Sequence, residues 1–257
     1  MATRPIFIPA PSSAEKVLVK HLEMKWYPGF ALTQKARSIR SLHDAAINAG
    51  YPKVLEISSK SSEVVGQQLS AFELTLSMGD ILTTVECAFQ GSKVFAKAGP
   101  FTDLYKKTSL EAKRDIRLQA SGELRGFWFN QETWPLRPLT AFYDWLYINA
   151  LNQHQYLAAQ LTAYDAFSDI AFNPKKSVNC QARSAALYLA LAKSGQLVQA
   201  LLGQREFLEV MKSSGGTSQP DFPPTSQTRN KKKKHNSEDQ PSLFPPEKGV
   251  IDNHQTW

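Results

Sequence analysis

Apolar positions recur with two periods along the first 212 residues. Residues 4–9 and 16–26 alternate loosely, with Val17, Val19 and Leu22 on the apolar side, and predict two strands. Residues 33–48 switch to helical spacing. Ile39, Leu42, Ala45 and Ala46 share one face, Thr33 caps the start and Gly50 ends it. A short strand at 54–57 and a brief helix at 61–69 follow. Residues 73–78 and 81–85 then alternate around Gly79-Asp80, a two-residue hairpin signal. A helix starts directly at Thr84 and runs to Ala98, before Gly99-Pro100. Ser109 caps a further helix over 110–119, which Ser121-Gly122 breaks. Residues 124–129 and 133–136 predict a second hairpin, with Trp128 and Trp134 paired across it. Residues 141–164 form a long helix, apolar over much of its circumference and therefore central, with a break around 153–155. An aperiodic polar loop at 164–179 separates it from helices at 181–193 and 197–211. The sum is an α+β fold, a mainly helical single domain around a small, mostly antiparallel sheet.

Composition places a boundary at residue 212. From Ser213 to Trp257 the chain is rich in Ser, Gly, Pro, Gln and Asn, apolar periodicity stops, and a disordered tail is expected. Of the chain's 30 Lys/Arg and 23 Asp/Glu, the tail holds six and five; the folded part keeps 24 against 18, or +6. A basic domain favours a polyanionic partner or substrate such as nucleic acid or a pyrophosphate. The tail adds a run of lysines at 231–234 and the segment Gln240-Pro241-Ser242-Leu243-Phe244. That segment resembles the pentapeptide with which bacterial proteins dock onto the replication sliding clamp. Its Gln240 would make polar contacts while Leu243 and Phe244 fill an apolar pocket. No run is apolar enough to span a bilayer and the N-terminus lacks a secretory pattern, so a cytoplasmic protein with no membrane partner is expected. Cys87 and Cys180 are too few for a disulfide framework or a metal site, and read as small core residues.

Chemistry concentrates in the segment opened by Thr84. On a helix, Glu86, Gln90 and Lys93 stand at i, i+4 and i+7 and share a face otherwise flanked by apolar residues. By spacing alone this is either a solvated face with one ion pair or a carboxylate, an amide and an amine set to act together. A second amine, Lys35, lies in the first turn of the helix at 33–48, where the helix dipole lowers its basicity slightly. The polar loop at 164–179, between two apolar helices, is the other natural place for a site.

Several of these segments carry a resemblance. Ser70-Ala71-Phe72, Thr84-Val85-Glu86 with Phe89-Gln90 and Lys93, Ala112-Lys113-Arg114, and then Asp165 to Asp169 resemble the order of motifs in the NADAR (YbiA-like) family. The stretches at 88–95, 111–115, 140–147 and 173–184 are closer still to the NADAR antitoxins paired with DarT-type toxins. Cys87-Ala88 departs from the His-Tyr of the wider family and Phe167-Ser168 from its Trp-Gly, so no role carries over through those side chains. The resemblance implies a glycosidase that removes ADP-ribose from guanine bases of DNA and so reverses a DarT-type toxin, with ADP-ribosylated DNA as substrate. It needs no cofactor and no metal. Glu86 would stabilise the ribosyl cation or activate water; Lys35 or Lys93 would supply an amine for a Schiff base. Lys113, Arg114, Lys175, Lys176 and Arg183 are donors for the pyrophosphate, and Gln90, Asp165, Asn173 and Asn179 would hold the rest of the ligand. Two alternatives remain open: an N-glycosidase of free nucleotide-like metabolites, and a non-catalytic antitoxin that shields the toxin or the modified DNA.

Overall fold

Alternation in the first two segments yields β1 (Ala2–Pro9) and β2 (Val17–Met24), an antiparallel pair with Ile6 opposite Lys20. The computed structural model describes residues 1–29, 31–175 and 177–213. Helix α1 (Leu32–Asn48) buries Ile39, Leu42 and Ala46 as its spacing predicts, but it begins after Ala31, so Thr33 sits inside the first turn instead of capping it. β3 (Val54–Glu56), α2 (Val64–Gln68) and the hairpin of β4 (Thr75–Met78) and β5 (Ile81–Thr84) come next, with Gly79 turning at a φ of +56°.

Helix α3 (Val85–Gly91) follows β5 without a loop, and the Thr84 hydroxyl accepts the Cys87 N–H as its cap. The helix is shorter than the sequence pattern predicts. The Gly91 carbonyl accepts the Phe101 N–H at 2.8 Å, the Ser92 hydroxyl turns back onto the Ala88 carbonyl at 2.7 Å, and the chain leaves as β6 (Lys93–Phe95). A 3₁₀ turn (Thr102–Lys106) packs Tyr105 against Gly91. In α4 (Ser109–Arg114) the cap is Thr108, not Ser109, in a reciprocal capping box with Glu111. Asp115 then bonds the Arg117 N–H and guanidinium, which breaks the predicted single helix before α5 (Arg117–Ala120).

β7 (Leu124–Phe129) and β8 (Glu132–Pro135) form the second hairpin through Asn130 and Gln131, both at positive φ. Its register puts Trp134 opposite Phe127 and Trp128 opposite Thr133, so the two tryptophans are not partners. The long apolar segment breaks where expected, into α6 (Ala141–Asn152) and α7 (Gln155–Gln160). The segment read as a polar loop contains a fully buried strand, β9 (Ala166–Ser168). Then come α8 (Gln181–Lys193), α9 (Leu197–Leu201) and α10 (Gln204–Ser213).

The main sheet has the order β2-β1-β9-β3, with β9 antiparallel to β1 and parallel to β3. Two smaller sheets, β4-β5 and β6-β7-β8, are antiparallel. This is the expected α+β architecture, distributed over three small sheets. α6 and α8 are buried between them, and Phe89, Phe127, Trp134 and Phe142 form an aromatic cluster that ties α3 to α6 and the last sheet. Residues 214–257, including the segment with Gln240, Leu243 and Phe244, lie outside the described residues.

Gly91 sets the exit of α3. A Cβ there would lie 2.5 Å from the Tyr105 ring and 3.0 Å from the Phe101 carbonyl. Gly91→Ala should therefore cost about 1–3 kcal/mol through overpacking, read as a lower urea midpoint with an unchanged slope.

Candidate active site

The polar groups of α3 are drawn inward by the brevity of the helix. Glu86 and Gln90 are 6% and 8% exposed, although both types normally face water. Their burial is compensated by one chain of hydrogen bonds. Gln90 Nε2 donates to Glu86 Oε1 at 2.9 Å, and Lys93 Nζ donates to Gln90 Oε1 at 2.7 Å. The amide orientation is dictated by its neighbours, because an ammonium can only donate and a carboxylate can only accept. Lys93 reaches this chain from the first position of β6, not from the helix, so the i+7 spacing predicted the contact through a different backbone path.

Two further features set the electrostatics. Lys113 Nζ, on α4, stands 3.9 Å from Glu86 Oε1 with its side chain about half exposed. Lys93 Nζ lies 4.7 Å from the centre of the Phe89 ring, and Lys113 Nζ 4.9 Å from that of Phe72. Burial pushes the Lys93 amine down to about 8; the Glu86 carboxylate opposes this and Lys113 adds to it. Lys93 is thus an amine with a substantial neutral fraction just above neutral pH. Glu86 Oε2 has no hydrogen-bond partner among the described residues and keeps contact with solvent.

A second carboxylate acts on the same charged groups, one that the sequence resemblance includes at the end of the Asp165–Asp169 segment but to which it assigns no role. Asp169 follows β9, and its Oδ1 accepts the N–H groups of Ala171 and Phe172 at 2.9 and 3.2 Å. Burial raises its carboxyl to about 7, and the neighbouring Glu56 adds to the effect. Glu56, also raised by burial, accepts from Ser58, Ser168 and the Ile170 N–H, and His43 Nε2 meets the Ser168 hydroxyl at 3.0 Å. Asp169 and Glu86 both act on the buried Tyr143 phenol, pushing it further above its ordinary value, and both interact with Lys113. The signal in the sequence was an acidic residue inside an otherwise apolar run, at Glu56 in Val54-Leu55-Glu56-Ile57 and at Asp169 before Ile170.

The other predicted residues fall in several places. Arg183 donates to the buried Asp144 carboxylate, which also accepts the Ser184 hydroxyl at 2.6 Å, so it joins α8 to α6. Asp165 is exposed and accepts the Lys53 N–H at 3.0 Å beside the β3–β9 pair. Asn173 Oδ1 accepts the Lys175 N–H at 3.0 Å and shapes its own turn, while Lys175 is exposed. Asn179 Oδ1 is buried with no hydrogen-bond partner among the described residues, an incomplete contact of the kind a ligand supplies. Arg114 is exposed at the end of α4, and Lys176 lies outside the described residues. Lys35 Nζ sits 5.0 Å from the centre of the Trp26 ring. The described residues also enclose a cavity of about 1180 Å³, lined by Met78, Tyr105, Trp128, Trp145 and Gln153; Glu86, Lys93 and Asp169 do not line it.

The candidate site thus brings a buried carboxylate, an amide and a desolvated amine into one chain of hydrogen bonds on a basic α+β scaffold. A family model described as the DarT1-associated NADAR antitoxin matches residues 2–220. The chain belongs to this antitoxin family, whose description implies a cognate toxin. Among curated proteins none matches the chain. No helix among the described residues is long and apolar enough to cross a membrane.

The Asp169 carboxyl makes a testable contribution to stability. An acid whose value is raised by folding binds its proton more tightly in the native state, so stability falls as pH rises from the ordinary carboxylate range toward about 7. The difference in melting temperature between Asp169→Asn and the wild type should move in the variant's favour from pH 5 to pH 8. A constant difference over that window would show that Asp169 does not titrate there.

Proposed function

We propose that the chain is an ADP-ribosyl N-glycosidase that releases ADP-ribose from the exocyclic amine of guanine in DNA, and so reverses a DarT-type transferase. The observation that carries this reading is the buried Glu86–Gln90–Lys93 chain of hydrogen bonds in a member of an antitoxin family associated with DarT1. In the net reaction the bond between the ribose anomeric carbon and the guanine nitrogen breaks. The oxygen of water bonds to that carbon, and a proton passes to the departing nitrogen.

Each group has a part in that balance. Glu86 Oε2, the free oxygen, faces the ribosyl carbon and takes the proton of the attacking water while its charge offsets the developing cation. Asp169, held protonated toward neutral pH, supplies the proton to the guanine nitrogen. Lys113 and Asn179 offer a donor and an amide to the pyrophosphate and ribose. Gln90 fixes both of its neighbours and is a positioning residue.

The depressed basicity of Lys93 favours a second route through the same pocket. The N-glycoside opens to an imine, the neutral Lys93 amine exchanges with the guanine amine to give a Schiff base, and water then hydrolyses it to ADP-ribose. Lys93 is preferred to Lys35 because it contacts the chain that ends on Glu86. The basic charge of residues 1–212 supports DNA over a free metabolite.

Incubation with single-stranded DNA carrying ADP-ribosylated guanine should yield free ADP-ribose and intact guanine. Borohydride added during turnover should leave a reduced ADP-ribose adduct on the wild type and none on Lys93→Ala. An adduct that persists in Lys93→Ala would reassign the amine, and full turnover with no adduct would leave the direct attack of water. Binding of the modified strand without release of ADP-ribose would make the protein a non-catalytic antitoxin and overturn the proposal.

A further inference from the structure

Away from the carboxylates, cations and aromatic rings interleave along one edge of the domain. Trp26 and Tyr27 follow β2, and both rings are half-buried. The Arg4 guanidinium and the Lys35 ammonium lie 4.9 and 5.0 Å from the centre of the Trp26 ring. Arg37 and Lys25 lie 4.1 and 5.3 Å from that of Tyr27. Four cations thus surround two adjacent rings. Among the described residues none of the four pairs with a carboxylate. A charge cluster built for stability alone would place acids among its bases.

The edge is also held in place. The hydroxyl of the fully buried Ser38 accepts the Tyr27 N–H at 3.1 Å, and the Ser41 hydroxyl accepts the Lys25 N–H at 2.9 Å. The two rings are therefore fixed to α1 and are not the tip of a free loop. Hydrogen bonding beneath them is incomplete: Arg4 Nε and Gln34 Oε1 are buried and have no hydrogen-bond partner among the described residues. Trp26 packs on the cluster that contains Ile170, the residue after Asp169.

We propose that Trp26 and Tyr27, flanked by Arg4, Lys25, Lys35 and Arg37, form a track for single-stranded DNA that leads the strand to the Glu86–Asp169 pocket. The proposal rests on the reading of DNA as the substrate and names the form of DNA that is bound. Aromatic faces stack on unpaired bases whatever their sequence, while the cations follow the phosphates; a duplex keeps its bases stacked on one another and offers the rings nothing. The geometry assigns Lys35 to the strand, which accords with the absence of any contact from Lys35 to the Glu86 chain.

The test uses the full chain and a fluorescent, unmodified 15-nucleotide oligo(dT), with affinity read by anisotropy. It contains no ADP-ribose, so it reads the track alone; absence of glycosidase activity would defeat the earlier reading without changing this result. Tyr27→Ala should weaken binding about tenfold, and Tyr27→Phe should restore it, because stacking uses the ring and not the hydroxyl. Lys25→Ala combined with Arg37→Ala should lower the slope of log affinity against log salt by about 1.4. A duplex of the same length should bind more weakly than the single strand. Unchanged affinity and slope in these variants would overturn the proposal. A loss that is equal for duplex and single strand, or one that Tyr27→Phe fails to restore, would also overturn it, leaving only a general phosphate-binding surface.

Discussion

The side-chain amide of Gln90 is the contact on which the candidate site depends. It accepts a hydrogen bond from Lys93 on one side and donates one to Glu86 on the other, and Glu86 and Gln90 are themselves buried. An isolated charge in such surroundings would be costly. The half-exposed Lys113 pairs with Glu86 Oε1 at 3.9 Å, and the Gln90 amide keeps the Lys93 amine off the carboxylate while bonding both. The outcome is a carboxylate with one oxygen free and an amine whose basicity is set by burial against Phe89.

The surrounding fold maintains that arrangement. α3 must end at Gly91 for Lys93 to enter β6, and there the Gly91 carbonyl accepts the Phe101 N–H while the Ser92 hydroxyl turns back onto the Ala88 carbonyl. Phe89, on the same helix, locks into the rings of Phe127, Phe142 and Tyr143. β9, which precedes Asp169, pairs with β1 and β3 at once and so fixes this carboxyl to the main sheet. Glu56 and Asp169 share this low-dielectric region, and holding protons there is the way two neighbouring carboxyls avoid mutual repulsion.

Much of this was legible in the sequence, and the failures have physical causes. Hydrophobic period located α1, the two hairpins, the break near 153–155 and the buried α6 and α8, because each buries one recognisable face. It missed β9: three residues are too few to show a period, and the neighbouring Asp165 and Asp169 made the strand look like loop. It overextended α3, since the N–H that takes the Gly91 carbonyl comes from Phe101, ten positions later in the chain. In the site, the Glu86, Gln90 and Lys93 contacts followed from spacing. Asp169 did not, because its weakened acidity comes from burial beside Glu56, which lies 113 positions earlier. Arg183 looked like a phosphate donor and is bound to Asp144, a pairing that depends on how α6 meets α8.

The central claim is that the free oxygen of Glu86 performs chemistry. Glu86→Gln preserves shape and retains an oxygen that can accept the Gln90 N–H, while removing the carboxylate. The most direct measurement is the single-turnover rate of ADP-ribose release from modified single-stranded DNA by this variant beside the wild type. The account predicts a loss of about a hundredfold or more, with the affinity for the modified strand retained. Release at the wild-type rate would contradict it.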